Sequence, residues 1–310
     1  MSAATPWGQG SSIQEHKIET VLEAFGWSGP QVSYRRLALG ITNLNWLAHR
    51  GERTVFIKLF GDNTDSFINR RASGAASRIA GEMGVGPRLL ASFEQPGAEV
   101  YDFLQGFRNA STDDLLRPEV RKALMANYRT MHGAPLIGET RSAFAQLDHR
   151  LALAREHGAV MPRDLEHLLW QCDRARQAVE QTSPPLAVCH NDSYAANFMI
   201  NDAGDVRVID WEYAANNDPA WDLAMISMGH IGVDQTAELV TDYQGRPDAA
   251  LTARVHLYGP VVCVSWALWA TLQSKVSSIP FDFHKYSKFL CQLGRARLRD
   301  PAWEAALWTL

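Results

Sequence analysis

The sequence predicts an α+β protein whose first part is rich in strands and whose remainder is mostly helical. Short apolar runs separated by turns fill most of the first hundred residues, and one helical pattern interrupts them. Beyond Gly106, long stretches with helical spacing of apolar residues predominate. These observations predict a two-lobed chain with an antiparallel sheet in its first domain, residues 1–104, and mostly helices in its second, residues 105–310.

The first domain is predicted from β-rich runs bounded by turn residues. Residues 1–12 are small and polar, and we expect them to form a loose tail. The predicted elements are a helix at 13–25, strands at 31–39, 45–49 and 54–60, a helix at 66–83, and strands at 89–93 and 99–104.

The second domain is predicted to be helical around one short strand pair. Helices are expected at 111–132, 144–157, 163–181, 220–229, 235–243, 249–277 and 283–298, with a break at Gly259-Pro260. A strand at 186–189 precedes a hairpin formed by 198–200 and 206–209 around the turn at 201–204.

Composition narrows the class of protein. With 310 residues and 46% hydrophobic content the chain can bury a large core, and a net charge of -4 does not favour a nucleic-acid partner. The four cysteines form no C-x-x-C pair, which is typical of buried thiols in a reducing compartment. The longest apolar stretch, 258–272, is too short to cross a bilayer, and the N-terminus lacks a secretory signal. We therefore expect a soluble, cytoplasmic protein without membrane insertion.

The strongest chemical signal lies between His190 and Asp210. An apolar strand leads to His190, Asp192 and Asn197 follow five residues apart, and a second apolar strand ends at Asp210. A hairpin would bring Asp210 back beside Asn197. Phosphoryl transfer needs a carboxylate for the substrate hydroxyl, oxygen ligands for Mg²⁺ and positive charge on the triphosphate. Asp192 suits the base, Asn197 and Asp210 suit the metal, and His190 suits a hydrogen bond that fixes the loop.

This pattern resembles the catalytic loop and metal-binding aspartate of the protein-kinase-like fold. Within that fold it is similar to the choline/ethanolamine kinase and aminoglycoside phosphotransferase superfamily, which has H-x-D and I-D-[FW]-E-Y at these places. The choline/ethanolamine branch is favoured by two segments, Asp210-Trp211-Glu212-Tyr213-Ala214 and Asn217-Asp218-Pro219. The resemblance spans about 40–297 and implies ATP and Mg²⁺ as cofactors.

Two further acidic residues follow the metal-binding aspartate. Glu212 lies two residues after Asp210, so on an extended segment both side chains would share a face. Glu212 is therefore a candidate ligand of a second Mg²⁺ or of a cationic substrate, although it also fits a solvated strand end. Asp222 opens a helical run, where a cap or a buried hydrogen bond is expected rather than catalysis.

Lys58 is the candidate phosphate-binding cation. It lies inside the apolar run 55–60, and a buried lysine needs an anionic partner; the resemblance implies that the partner is ATP. An edge-strand lysine facing water is the simpler alternative.

The family likeness implies two more nucleotide contacts. The segment from Gly40 through Thr42 and Asn43 is similar to the family's loop over the phosphates, although an ordinary hairpin turn has the same composition. The connection at 99–104 is expected to bind adenine, with backbone hydrogen bonds from Val100 to Phe103.

One position departs from the family pattern on this side. The helix glutamate that usually holds the lysine falls at Ser73, which carries no charge. Either another acid such as Asp62 or Asp65 replaces it, or the nucleotide orders Lys58.

The acceptor pocket is predicted from the aromatic segment that includes Trp266 and Trp269. These residues are three apart, so they share one face of a helix. Alone, such a pair more often belongs to a core, but the segment resembles the helix whose tryptophans line the choline site. Cation–π attraction to such rings binds quaternary ammonium groups, and Tyr286 and Phe281 are candidates to complete the cage.

A second departure bears on the acceptor. An acid often found near the ammonium, seven residues after Asp222, is replaced here by Gly229. We expect a kinase that phosphorylates an amino alcohol, choline or ethanolamine. Alternatives are a phosphotransferase for thiamine, an aminoglycoside or another metabolite, and a kinase-like binding protein without activity.

Overall fold

The computed structural model describes residues 4–37, 43–61, 68–277, 279 and 281–310. A six-stranded antiparallel sheet forms from β1 (Thr5–Pro6), β2 (Val32–Arg36), β3 (Leu44–Arg50), β4 (Arg53–Leu59), β5 (Leu89–Phe93) and β6 (Ala98–Asp102), in the order β1-β2-β3-β4-β6-β5. Helix α1 (Ile13–Ala24) packs on the sheet, and α2 (Arg70–Glu82) is inserted between β4 and β5. The sheet and the inserted helix predicted for the first hundred residues are confirmed.

The remaining elements are mostly helices around two small strand groups. They are β7 (Arg108–Asn109), α3 (Thr112–Leu116), α4 (Pro118–His132), α5 (Ala143–Glu156), α6 (Leu165–Gln181), β8 (Ala187–Cys189), β9 (Phe198–Ile200), β10 (Val206–Val208), β11 (Ala215–Asn217), α7 (Pro219–Gly229), α8 (Thr236–Gln244), α9 (Ala249–Val276), α10 (Phe283–Arg299) and α11 (Pro301–Thr309). The predicted hairpin of β9 and β10 is present, and β8 pairs with β11. The short strands β7 and β11 and the last helix were not predicted.

Three sequence predictions about local structure were wrong. The expected tail contributes β1 to the sheet, and the amides of Gly8 and Gly10 donate to the Glu19 carboxylate. The single helix expected at 111–132 is divided because Arg117, which precedes Pro118, is extended, as a residue before proline prefers.

Helix α9 runs unbroken through Pro260, against the predicted break. It is buried along most of its length, and its neighbours stabilise it where the proline removes one hydrogen bond. Gly294 on α10 makes part of this packing possible, since an added Cβ would lie 3.1 Å from the Cβ of Cys263. Helix α9 is long and apolar enough to cross a membrane, but 94% of that window is buried within the protein, as in a core helix.

Two hydrophobic clusters underlie this arrangement. The smaller joins α1 to the six-stranded sheet, and the larger contains the helices that follow. Helix α2 contributes Ala72, Ala76 and Ala80 to the larger cluster, although it lies within the first hundred residues. The two hydrophobic cores therefore do not divide at residue 104. The domain boundary proposed there stays a prediction.

Candidate active site

The loop after β8 is fixed by His190. The imidazole Nδ1 accepts from the Asp192 amide at 3.2 Å, and Nε2 lies 2.8 Å from the Ile209 carbonyl oxygen. A carbonyl oxygen only accepts, so Nε2 carries the proton and the ring is neutral. Burial also lowers the pKa of His190. The imidazole thus joins the loop to the strand that delivers Asp210, as the sequence indicated.

Asp222 supports the same loop from α7. Its carboxylate accepts hydrogen bonds of 2.8 Å from the amides of His190 and Asn191 and from the Ser193 hydroxyl. Burial alone would raise the pKa of Asp222, but His132 at 3.0 Å and these bonds lower it below its usual value. The sequence predicted a hydrogen-bonding role for Asp222, and this network bears it out.

Asp192 and Asn197 contact each other directly. The Asn197 side-chain amide donates to the Asp192 carboxylate at 3.0 Å and to the Asp192 backbone carbonyl at 2.9 Å. Burial raises the pKa of Asp192 to about 7, and the negative charges of Asp210 and Glu212 act in the same direction. Arg150 and the bond from Asn197 oppose this rise. The carboxylate is therefore oriented and has an unusually high proton affinity.

Asp210 and Glu212 follow β10, the second strand of the hairpin, and contribute their carboxylates to the same site. Asp210 has a left-handed backbone (φ 66°), which turns its side chain toward the site and starts the helical turn that contains Glu212. Lys58 is only 6% exposed, makes a salt bridge with Asp210 and lies 3.3 Å from Glu212. Burial alone would lower the pKa of Lys58, but these two carboxylates outweigh it and hold the pKa above its ordinary value.

Asn43 provides a link that sequence reasoning missed. Its side-chain amide donates to Glu212 at 2.6 Å, which ties the start of β3 to the acidic cluster. Burial raises the pKa of Glu212, while Lys58 and Asn43 favour its charged form. The other predicted members of this loop, Gly40 and Thr42, lie outside the described residues, as do Asp62 and Asp65.

The predicted adenine contacts need one correction. Val100 lies in β6 between β4 and β5, so its backbone groups are used in the sheet and cannot bind adenine. Phe103 follows the end of β6 and begins the connection to the second domain. Val100 belongs to the core, and an adenine contact at Phe103 stays a prediction.

A buried acid on β6 lies beside Lys58. Ser73, where the family's helix glutamate was expected, is buried on α2 and supplies no charge. Glu99 pairs in register with Lys58, is 1% exposed and accepts from the Tyr101 hydroxyl at 2.7 Å. An added Cβ on Gly74 would lie 3.7 Å from the second Glu99 oxygen, so this carboxylate reaches the inner face of α2. The sequence did contain a signal for this residue, because an acid in an apolar strand is as unusual as Lys58.

The acidic cluster opens into a cavity of about 380 Å³. Asp192, Asn197, Asp210 and Glu212 line one end, here called the catalytic end. The other end, here called the aromatic end, is lined by Tyr194, Tyr213, Met225, Met228, Trp266, Trp269, Phe281, Tyr286 and Leu290. The predicted acceptor residues Trp266, Trp269 and Tyr286 therefore share one cavity with the predicted base.

The rings of the aromatic end pack edge to face. The ring centroids of Trp266 and Trp269 are 5.5 Å apart, and those of Phe281 and Tyr286 are 5.8 Å apart. The face of Trp266 also carries the guanidinium of Arg150, whose central carbon lies 4.0 Å from the ring centroid. Arg150 was not predicted, because one arginine in an amphipathic helix carries no sequence signal.

Gly229 lies beside Tyr194, which lines the aromatic end. An added Cβ would lie 3.9 Å from the Tyr194 ring. Among the described residues that line the cavity, the only carboxylates are Asp192, Asp210 and Glu212, all at the catalytic end. The described lining of the aromatic end thus carries no charged side chain.

A sheet with an inserted helix, a buried lysine on its central strand and an Asp–Asn–Asp cluster below it define a protein-kinase-like phosphotransferase. Asp192 and the aromatic rings line one cavity, which can hold a small acceptor beside the carboxylate.

Comparison with known proteins specifies the family. The family model described as choline/ethanolamine kinase matches residues 35–231. Ethanolamine kinase 2 of Rattus norvegicus is 24% identical over 293 residues, which cover 84% of this chain and 75% of that protein. Probable choline kinase 1 of Arabidopsis thaliana is 24% identical over 281 residues, which cover 80% of each. The crystal structure of a choline/ethanolamine kinase family protein from Mesorhizobium loti superposes with a TM-score of 0.78 at 26% identity, covering 92% of this chain and 93% of that one. The chain belongs to the choline/ethanolamine kinase family.

Proposed function

We propose that this protein transfers the γ-phosphate of ATP to the hydroxyl of an amino alcohol, choline or ethanolamine. The observation that carries the proposal is the single cavity that joins Asp192 to an aromatic end. Aromatic faces attract an ammonium group, and that attraction would place a hydroxyl two carbons away near the carboxylate. The names of the relatives, ethanolamine kinase and choline kinase, support the same substrates.

In the proposed reaction Asp192 orients the acceptor hydroxyl and accepts its proton as the oxygen attacks the γ-phosphorus. The new bond joins that oxygen to phosphorus, the bond to the β–γ bridging oxygen breaks, and ADP leaves. Asn197 holds the Asp192 carboxylate by its side-chain amide, which leaves the other carboxylate oxygen for the substrate. A base with a pKa near 7 is well matched to this task at neutral pH.

Magnesium fits the donor set at the catalytic end. The side chains of Asn197, Asp210 and Glu212 offer the hard oxygen atoms that Mg²⁺ prefers, and the bound ion would neutralise charge on the triphosphate. Lys58 supplies a second positive charge, and Asn43 keeps Glu212 in place. We further propose that residues 1–104 bind the nucleotide, that residues 105–310 bind the acceptor, and that the enzyme is cytoplasmic.

The test is a coupled ADP-release assay with MgATP and a panel of acceptors. The panel contains choline, ethanolamine, its methylated forms, thiamine and an aminoglycoside, and phosphorus NMR identifies the phosphomonoester. We expect turnover with choline or ethanolamine and loss of turnover when the metal is chelated. Turnover confined to thiamine or the aminoglycoside would contradict the proposed acceptor.

The matched variants are Asp192→Asn and Asp202→Asn. Asp192→Asn is expected to lower kcat at least about a hundredfold while ATP still binds in a calorimetric titration. Asp202 lies exposed in the hairpin turn, so its variant should keep full activity. Unchanged turnover in Asp192→Asn would disprove the catalytic role, and ATP binding without turnover in the unmodified enzyme would make the chain a binding protein.

A further inference from the structure

Arg150 is a buried cation beneath the acceptor cavity. It lies on α5, is 5% exposed and donates from Nη1 to the Ser265 hydroxyl on α9 at 2.9 Å. The Ser265 hydroxyl is neutral, so this bond fixes the position of the guanidinium without balancing its charge.

The guanidinium lies against two aromatic walls of the cavity. Its central carbon is 4.0 Å from the Trp266 ring centroid and 5.9 Å from that of Tyr213. Both rings line the cavity, whereas Arg150 does not. Arg150 therefore lies behind these two rings, outside the lining of the cavity.

This arginine lacks the usual compensation for a buried charge. Buried arginines normally pair with a carboxylate, but within the described part of the chain Arg150 has no ion pair, and its Nη2 has no hydrogen-bond partner. Burial lowers the pKa of Arg150 to about 10, so the group still carries its charge at neutral pH. Asp192, which lines the same cavity, attracts this charge without being paired with it, so the field of Arg150 extends into the cavity.

We propose that Arg150 is a specificity-determining residue that weakens the preference of this enzyme for a cationic acceptor over a neutral one of the same shape. The proposal rests on the proposed function. The guanidinium already makes a cation–π contact with one face of Trp266. Its positive charge repels the ammonium group of an acceptor that approaches the other face. The ammonium group is left mainly to Trp269, Tyr286 and Tyr194, which have no cation behind them among the described contacts.

The expected size follows from the geometry. A second cation near the free face of Trp266 would be roughly 10 Å from the guanidinium, and repulsion at that distance in a partly screened medium changes affinity about tenfold. Packing alone would alter charged and neutral acceptors of one shape equally, so their ratio isolates the charge effect.

The test compares choline with its neutral isostere, the alcohol in which a carbon replaces the ammonium nitrogen. The ratio of their kcat/KM values is measured for the unmodified enzyme and for Arg150→Met, Arg150→Lys and Arg155→Met. Arg150→Met removes the charge and keeps an unbranched side chain. Arg150→Lys keeps the charge. Arg155→Met makes the same change at a half-exposed position on the same helix.

We expect Arg150→Met to raise the choline-to-isostere ratio about tenfold, and the other two variants to keep the unmodified ratio. A ratio that is unchanged or lower in Arg150→Met overturns the proposal, as does an equal rise in Arg155→Met. Thermal melting reports whether each variant is folded. If Arg150→Met is not, Arg150→Gln, which keeps an amide donor for Ser265, is subjected to the same comparison.

The two proposals fail in different ways. Absence of turnover with both choline and ethanolamine in the unmodified enzyme removes the proposed function. The charge effect is then measured as the ratio of calorimetric dissociation constants for choline and the isostere, and an unchanged ratio in Arg150→Met, or no binding of either compound, overturns the role of Arg150.

Discussion

At the catalytic end of the cavity the buried polar groups bond to one another, whereas at the aromatic end several have no partner. Asp222 alone accepts three hydrogen bonds from the loop that carries Asp192. By contrast, Tyr213 Oη, the indole nitrogens of Trp266 and Trp269, and Nη2 of Arg150 behind them are buried without a hydrogen-bond partner among the described residues. The catalytic geometry is thus formed before substrates bind. Substitutions that alter ligand preference at the aromatic end should reduce stability less than substitutions at the catalytic end.

The largest expected effect comes from breaking the catalytic end. Asp222→Ala should lower the free energy of unfolding by about 4 kcal/mol, because it leaves two buried amides and a hydroxyl without an acceptor. Urea denaturation measures the change. Asp202→Ala, in the exposed turn, should stay within about 0.5 kcal/mol of the unmodified protein. A similar small change in Asp222→Ala would mean that the network does not hold the loop.

The second prediction concerns how far the ionised Asp192 carboxylate lowers the free energy of unfolding of the ligand-free protein. The carboxyl has a folded pKa of about 7, above its unfolded value, so its contribution to stability is present at low pH and lost as pH rises through 7. Asp192→Asn removes the buried charge. It should stabilise the ligand-free protein at about pH 8 by at most about 4 kcal/mol, and much less at about pH 4.

Thermal melting across this pH range measures that difference. The same variant is expected to lose turnover, so stability and activity should change in opposite directions. A variant that is less stable than the unmodified protein at the higher pH would contradict the raised pKa.

A smaller effect is expected at Glu99. Glu99→Gln keeps the shape and removes the carboxylate beside Lys58, which should raise KM for ATP about tenfold and leave KM for the acceptor unchanged. Steady-state kinetics with each substrate varied in turn distinguish the two constants. Glu94→Gln, in the exposed turn before β6, is the control. Equal changes in both KM values would show a general loss of structure.

The smallest effect is expected from adding an acid at the aromatic end. Gly229→Glu has room for its Cβ and would place a carboxylate near Tyr194. A primary ammonium has three donors to satisfy, so the kcat/KM ratio of ethanolamine to choline should rise about threefold. Gly229→Gln separates the charge from the added bulk. An equal rise in both variants would remove the electrostatic explanation.

The two ends also differ in how far the sequence predicts them. Asp192, Asn197 and Asp210 are close in the chain and joined by one hairpin, so a local pattern placed them together. Arg150 meets Trp266 only because α5 packs on α9 more than a hundred residues later, and no local spacing encodes that contact. Lys58 was expected from its strand, but its link through Glu212 to Asn43 depends on how the sheet sits over the hairpin.

The wrong predictions at Pro118, Pro260 and Val100 also arose because tertiary packing is not visible in a local sequence pattern. The sequence predicted a continuous helix through Pro118 and a break at Pro260, whereas Pro118 begins a new helix and Pro260 lies inside one. Pro260 lies in a helix buried on all sides, and its neighbours compensate for the missing bond. Val100 was assigned to the nucleotide from the family likeness, but it lies inside β6, whose backbone pairs with strands on both sides.

Helix α2 is attached more firmly to the helical part of the molecule than its place in the chain suggests. Just after this helix, the Val85 carbonyl accepts from the Val208 amide at 2.8 Å, and only a glycine fits at position 86, since an added Cβ would lie 2.7 Å from the Val208 carbonyl oxygen. The helix is thus fastened to the strand that ends two residues before Asp210. Any movement of the sheet relative to the helical part would therefore leave Ser73 in place and change the distance between Lys58 and Asp210.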